Sequence, residues 1–322
     1  MFLIHFDGKT WSVTNGPTLY QPVGIAAPTR RDVWVVGASR TILHWNGTDW
    51  SRIALPKARG VQLTSVSASA PDNVWVVGQR YGVRLPANSV GSHTLAYRFD
   101  GHRWSIVPTP NPDYAANSLT AVMSISDTYT LVAGFAGEDG YTLQWDGATW
   151  RQASLPAPEH HLHVIVVGLG MAGTQPWAVG ATGGPGFGNP VYLKWTGALW
   201  QLVPMKAIDY NTPTAQSVSG GTPFDVWAVG AANGGRYVLA HTTNARAFEY
   251  VQLPVPAQVD PNEGSLNAVR AFSPDDVWAV GVATTISRSP CATSSGNLAL
   301  VDHWDGHSWT PVHIPGLASV RP

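Results

Sequence analysis

The chain reads as an all-β protein, a β-propeller, on three observations: an internal repeat, tryptophans confined to fixed positions of that repeat, and a turn-rich composition poor in charge. The string DVWVVG at Asp32 to Gly37 returns as NVWVVG at Asn73 to Gly78, and as DVWAVG at Asp225 to Gly230 and Asp276 to Gly281. Weaker copies, TLVAG ending at Gly134 and PWAVG ending at Gly180, complete six. A second string follows, made of an aromatic, a tight Gly turn and another aromatic five positions on. It occurs at Trp45 and Trp50, Phe99 and Trp104, Trp145 and Trp150, Trp195 and Trp200, and Trp304 and Trp309. Phe6 and Trp11 supply one more, and in the fifth repeat the string decays to HTTNARAF, with Phe248 replacing the final Trp. Every one of the 15 tryptophans falls at one of three repeat positions, which marks them as packing residues rather than ligand platforms.

Each unit reads as four short strands. Strand a alternates apolar and small residues at period two, as in Leu63 to Ser69, Leu119 to Ile125 and Leu266 to Phe272. A turn of the APDN or SPDD type leads into strand b, VWxVG, an apolar run suited to burial on both faces. Strand c carries the first aromatic, as in TILHW. An Asp-Gly or Asn-Gly hairpin, tolerant of positive φ, then reverses the chain into strand d. Proline closes the unit at Pro56, Pro108, Pro156, Pro204, Pro254 and Pro315, on an outer edge where a missing N–H does least harm.

The repeats span about 18–56, 57–110, 111–156, 157–204, 205–254 and 255–315 of one domain over residues 1–322. Residues 1–17 supply strands c and d of a further unit, and Gly316 to Val320 matches strand a. Seven blades with a split closing blade is therefore the first expectation. Six blades is the alternative, because no VWxVG strand exists for the split blade.

Composition limits the partners. Only 12% of residues are charged and the net charge is -1, which leaves no electrostatic footprint for nucleic acid and no polybasic run for a membrane. No apolar stretch reaches spanning length and no basic leader precedes Asp7, so no membrane insertion is expected; the composition points to an extracytoplasmic or secreted setting. Cys291 is the single cysteine, a bystander in a long loop. No cofactor is expected.

Loop lengths locate the working surface. The a-to-b and c-to-d turns are short, whereas the b-to-c segments swell (RYGVRLPANSVGSH, ATGGPGFGNP, VATTISRSPCATSSGN) and the d-to-a segments vary (NPDYAANS, APEHHLH, MKAIDYNTPT, VPAQVDPNEGS). Both variable sets should emerge on one side, the side expected to bind. There Glu159, His160, His161 and His163 form the densest titratable cluster, but adjacent residues of an extended chain point opposite ways, so an exposed polar loop is the simpler reading than a metal site. Asp113, Asp209, Asp260 and Glu263 occupy equivalent d-to-a segments and are expected to ring a channel mouth. Paired carboxylates suit glycoside hydrolysis, whereas the dipeptides Asp113-Tyr114 and Asp209-Tyr210 suit the holding of a sugar by hydrogen bonding and stacking.

No GxSxG, P-loop or HExxH occurs, and GGPGFG at Gly183 to Gly188 is not followed by a helix. The succession DVWAVG, a variable stretch, then HWDGHSW resembles the tandem repeats of bacterial β-propellers. The layout is similar to kelch and WD blades, without the kelch double glycine or the WD dipeptide ending strand c. The W-D-G-x-x-W hairpin, clearest at Trp145 to Trp150 and Trp304 to Trp309, also resembles that of propeller lectins, although here the loops differ from blade to blade. The resemblance implies a propeller, and by analogy a non-catalytic module binding a glycan or a protein. The alternatives are a propeller glycoside hydrolase or lyase, and an assembly domain of a surface protein.

Overall fold

Why the same six-residue strand recurs six times is answered by what lies against it. The computed structural model describes residues 2–84, 90–113, 115–156, 163–183, 188–206, 213–232, 237–254, 259–285 and 297–315. Strands β1 (Phe2–Phe6) and β2 (Trp11–Asn15) form a hairpin. The first blade is β3 (Pro22–Thr29), β4 (Asp32–Gly37), β5 (Thr41–Trp45) and β6 (Trp50–Ile53). The second is β7 (Val61–Ala70), β8 (Asn73–Arg84), β9 (Val90–Phe99) and β10 (Trp104–Ile106). The third is β11 (Asn117–Ser126), β12 (Tyr129–Ala136), β13 (Asp139–Trp145) and β14 (Trp150–Ala153). The fourth is β15 (Val164–Ala172), β16 (Gln175–Thr182), β17 (Pro190–Trp195) and β18 (Trp200–Val203). The fifth is β19 (Pro213–Ser219), β20 (Val226–Ala232), β21 (Tyr237–Thr242) and β22 (Glu249–Tyr250). The sixth is β23 (Val259–Ser273), β24 (Asp276–Thr285), β25 (Asn297–Trp304) and β26 (Trp309–Pro311). Each blade is an antiparallel meander in chain order a, b, c, d. The chain divides into two compact units, Met1–Leu155 with the first three blades and Pro156–Pro322 with the last three.

The fold is thus an all-β propeller of six four-stranded blades among the described residues, the alternative rather than the first expectation. Among the described residues β1 and β2 pair with each other and with no other strand. The physical reason is the missing VWxVG strand: β1 has no strand b to extend its ladder. The proposed closing strand, Gly316 to Val320, lies outside the described residues. Leu3 of the hairpin packs instead with Leu19, Val35, Leu43 and Trp50 beside the first blade.

Strand a meets strand b through the same defect in all six blades. The ladder slips by one residue immediately after the position opposite the terminal glycine of VWxVG: after Pro22, Leu63, Leu119, Val166, Ala215 and Leu266. At this bulge the two backbones close on each other. A Cβ on Gly78, Gly134, Gly180, Gly230 or Gly281 would lie 1.8 to 2.0 Å from the carbonyl oxygen of the strand a residue directly before the glycine's partner. The repeat glycine is therefore a matter of space and not of positive φ.

Small residues in strand a join one blade to the next. Ser65 and Ser67 Oγ accept from the N–H groups of Val122 (3.3 Å) and Ser124 (3.0 Å), and Ser217 and Ser219 Oγ accept from Val269 (3.2 Å) and Ala271 (3.1 Å). At the same register the fourth blade has Gly168 and Gly170, where a Cβ would fall 2.2 and 1.8 Å from the carbonyls of Gln216 and Val218. Serine bridges a gap between neighbouring strands; glycine closes it.

The strand b indole then seats on the aromatic pair of the following hairpin. Trp34 lies 5.3 and 5.4 Å from Phe99 and Trp104, and Trp75 lies 5.5 and 5.3 Å from Trp145 and Trp150. In the second unit Trp227 meets Trp304 and Trp309 at 5.3 and 5.1 Å, and Trp177 meets Phe248 at 5.8 Å, so the decayed hairpin still supplies an aromatic. The Asp that opens DVWxVG has a purpose the turn pattern did not disclose. Asp32, Asp225 and Asp276 hold the Nε2 of His44 (2.5 Å), His241 (3.3 Å) and His303 (2.9 Å), each imidazole lying on the Trp of its own blade.

The c-to-d turns are capped by side chains. Oδ1 of Asp7, Asp100, Asp146 and Asp305 accepts from the amides two and three residues on, and the next residue, glycine, takes φ between 88° and 98°. Those amides hold all four carboxyls below their ordinary value.

Two substitutions test this architecture by urea denaturation. Trp75→Ala should destabilise the protein by about 3–5 kcal/mol through cavity formation. Gly230→Ala, which drives a methyl group onto Thr214 O, should destabilise it by about 1–3 kcal/mol or more. A loss below about 1 kcal/mol in both would contradict the packing described.

Candidate binding face

In every blade the start of strand a, the end of b and the start of c lie at one end of the sheet. The pairs Asn117 with Ala136, Ala136 with Asp139, and Val61 with Arg80 show it directly. The two variable loop sets therefore do emerge together within a blade. Several segments expected to be loops are strand: β8 and β9 extend to Arg84 and from Val90, β24 reaches Thr285, and β23 begins at Val259. Asp260 and Glu263 accordingly sit in strand a of the sixth blade rather than in a loop.

In the third blade this end of the sheet holds a pocket of about 470 Å³. Its walls come from the d-to-a segment (Pro112, Asp113), the b-to-c turn with the start of β13 (Asp139, Gly140) and the end of strand d (Gln152, Ser154). Tyr141 forms its floor; the ring is buried, its hydroxyl donates weakly to Pro110 O at 3.5 Å, and burial pushes its pKa well up. The pocket exists because the b-to-c turn here is short, with Gly137 at φ 63°, and leaves the ends of strands c and d uncovered beneath the longer d-to-a segment.

Among the described residues Asp113 is the one sequence-predicted site residue that lines the pocket, and its carboxylate is engaged. Oδ1 accepts from the amides of Ala115 (2.6 Å) and Ala116 (2.7 Å), and its own N–H donates to Asn117 Oδ1 at 3.0 Å. Asn117, fully buried, donates in turn to Asp113 O at 2.6 Å. Oδ2 lies over Gly137, where a Cβ would come within 3.1 Å. The two amides hold the Asp113 carboxyl below the ordinary 3.8. Chemically this is the hairpin cap again, used to fold a loop.

Of the other predicted residues, three are described, in the fourth and sixth blades. His163 precedes β15 of the fourth blade, half-buried, with its carbonyl accepting from Gly183 N at 2.8 Å. Asp260 is half-buried and Glu263 exposed in the sixth blade, and Glu263 O accepts from Tyr237 Oη at 3.4 Å. Tyr114, Glu159, His160, His161, Asp209, Tyr210 and Cys291 lie outside the described residues. Among the described residues no group of three or more His, Cys, Asp or Glu side chains is placed to hold a metal ion. Asp139, Tyr141, Gln152 and Ser154 were missed because the sequence reading favoured swollen loops, and the pocket opens over a short one.

A propeller with a polar pocket at the loop end of its third blade is the class of molecule these features define. Solved structures share the fold. YCF48 bound to D1 peptide superposes with a TM-score of 0.59 at 14% identity, over 95% of this chain and 85% of that one. YCF48 from Cyanidioschyzon merolae gives 0.57 at 13% identity, over 97% and 90%. The WD40 β-propeller domain of Doa1 gives 0.51 at 10% identity, over 91% and 92%. No family model matches the chain, and no curated protein does. At these identities the likeness is one of fold.

The capping role of Asp113 has a signature in acid. Asp113→Ala should lower the melting temperature at pH 6, while Asp113→Asn, which keeps an acceptor oxygen, should retain most of it. Because the folded pKa is depressed, the stabilisation is present above about pH 3.8 and lost as the pH falls through the lowered value. Melting curves at stepped pH check this; equal curves for the Ala variant and the parent would remove the cap.

Proposed function

We propose that this chain is a non-catalytic protein-binding propeller that takes a peptide segment of its partner across the loop side of the blades, anchored in the third-blade pocket. The observation that carries the reading is the pocket itself: Asp113, Asp139, Gln152 and Ser154 line it together with Tyr141 at the loop end of the third blade. Its size suits one or two side chains of a chain lying across it. A structural neighbour of the same fold carries a bound peptide, which supports this mode of use.

The chemistry of the site argues against the other readings. A glycosidase needs an acid whose pKa is raised so that it can donate a proton to the leaving oxygen. Asp113 is held in the opposite direction by two backbone amides. A sugar stacks on an exposed ring, and the ring in the pocket, Tyr141, is buried on its own sheet.

Selection of a displayed random peptide library on the intact chain, followed by titration of the enriched peptide, tests the proposal. Asp139→Lys and Gln152→Ala should each weaken the selected peptide about tenfold or more, while leaving stability within about 0.5 kcal/mol as for other surface changes. Asp49→Ala and His307→Ala, on the hairpin side, should change neither. Enrichment of no peptide together with retention on a glycan array would replace the protein ligand by a sugar.

A further inference from the structure

One position of strand c is filled by Leu43, Tyr97, Leu143, Leu193 and Ala240 in the first five blades, all buried. The sixth blade has Asp302 there, fully buried, with neither Oδ1 nor Oδ2 in a hydrogen bond among the described residues. Its cross-strand neighbours are Ala279 of β24 and Pro311 of β26. It shares a strand face with Leu300 and Trp304, the face that packs on the fifth blade among Trp227, Val229, Leu239 and Val277. A leucine would complete that seam. A charged carboxylate, dry and without a cation, is strongly disfavoured in it.

The titratable groups around the seam come from three strands. Tyr237 of β21 faces the acid; its phenol is pushed up to about 12, first by burial, then by Asp302 and by Asp260 of β23. His241 of β21 is stacked on Trp227 and bonded to Asp225, and Glu249 of β22 is paired with Lys206. β20, β24 and β26 contribute Trp227, Val229, Val277, Ala279, Trp309 and Pro311, none of which titrates. Among the described residues no basic side chain is paired with Asp302.

We propose that Asp302 is a proton-operated latch: the seam between the fifth and sixth blades closes on the neutral acid and loosens when the acid ionises. Burial alone raises its pKa from 3.8 to about 7. Because the folded value lies above the unfolded one, the stabilisation is complete below about pH 3.8 and is lost as the pH rises through about 7. Asp260 and Glu263 lie in β23 of the same blade, at the end of the sheet where the connections vary. The device stands whether or not that face binds a peptide.

Melting of the full chain and of Asp302→Leu between pH 5 and pH 8 tests it. The wild-type melting temperature should fall relative to that of the variant as the pH rises, with the variant the more stable at pH 8. Parallel profiles, or a variant less stable at pH 8, would overturn the proposal. Should the variant fail to fold, hydrogen exchange in the wild type decides. After correction for intrinsic rates, the opening constants of β21 and β25 amides should rise by up to about tenfold per pH unit from pH 5 to 7, against no such rise in β12. An equal pH response in β12 and β25 overturns it.

Discussion

The structure depends on seating the strand b indole of one blade against the hairpin aromatics of the next, as four of the blades do. Trp34, Trp75, Trp177 and Trp227 are buried by side chains that belong to a different sheet. That arrangement requires strand b to be covered on both faces, and hence requires strand a to come close enough to shield it. The bulge in strand a brings its carbonyl against strand b, and only glycine leaves room at that point. The motif VWxVG is therefore two halves of one constraint, an indole for the next blade and a gap for its own inner strand. Serine or glycine in strand a then sets how adjacent inner strands meet.

The two ends of each blade spend their polar groups differently. At the hairpin end, Asp7, Asp100, Asp146 and Asp305 fold their carboxylates into backbone amides, which makes short regular turns and leaves those oxygens engaged. Asp113 does the same in a segment that is not a hairpin. An acid in a propeller loop is thus first a cap, and the working surface is defined by the space the caps leave. In the third blade that space is the pocket at Tyr141, bounded by the capping Asp113 and by Asp139, Gln152 and Ser154.

Asp302 stands apart from both uses. Asp305 is exposed and depressed by backbone donors, whereas Asp302 is enclosed by alkyl and aromatic groups and raised by burial. The same residue type is driven in opposite directions by its surroundings within one blade, since Asp305 lies three positions further along.

The sequence by itself determined the repeat, the four strands of each blade, their order and the role of tryptophan as packing, because each is a local pattern repeated often enough to be read against its own copies. Even the irregular fifth hairpin was legible, with Phe248 standing where a Trp belongs. The tertiary structure decided what depends on neighbours in space. It decided that β1 and β2 remain a hairpin and not part of a split blade, because a ladder needs a strand b that neither end contains. It decided that Asp260 and Glu263 belong to a strand, and that the opening Asp of DVWxVG orients a histidine on the adjacent strand. It placed the pocket over a short turn, where length comparison had no reason to look. Asp302 reads in sequence as one more acid beside His303 and Trp304; only the second sheet, laid over it, makes it a buried one.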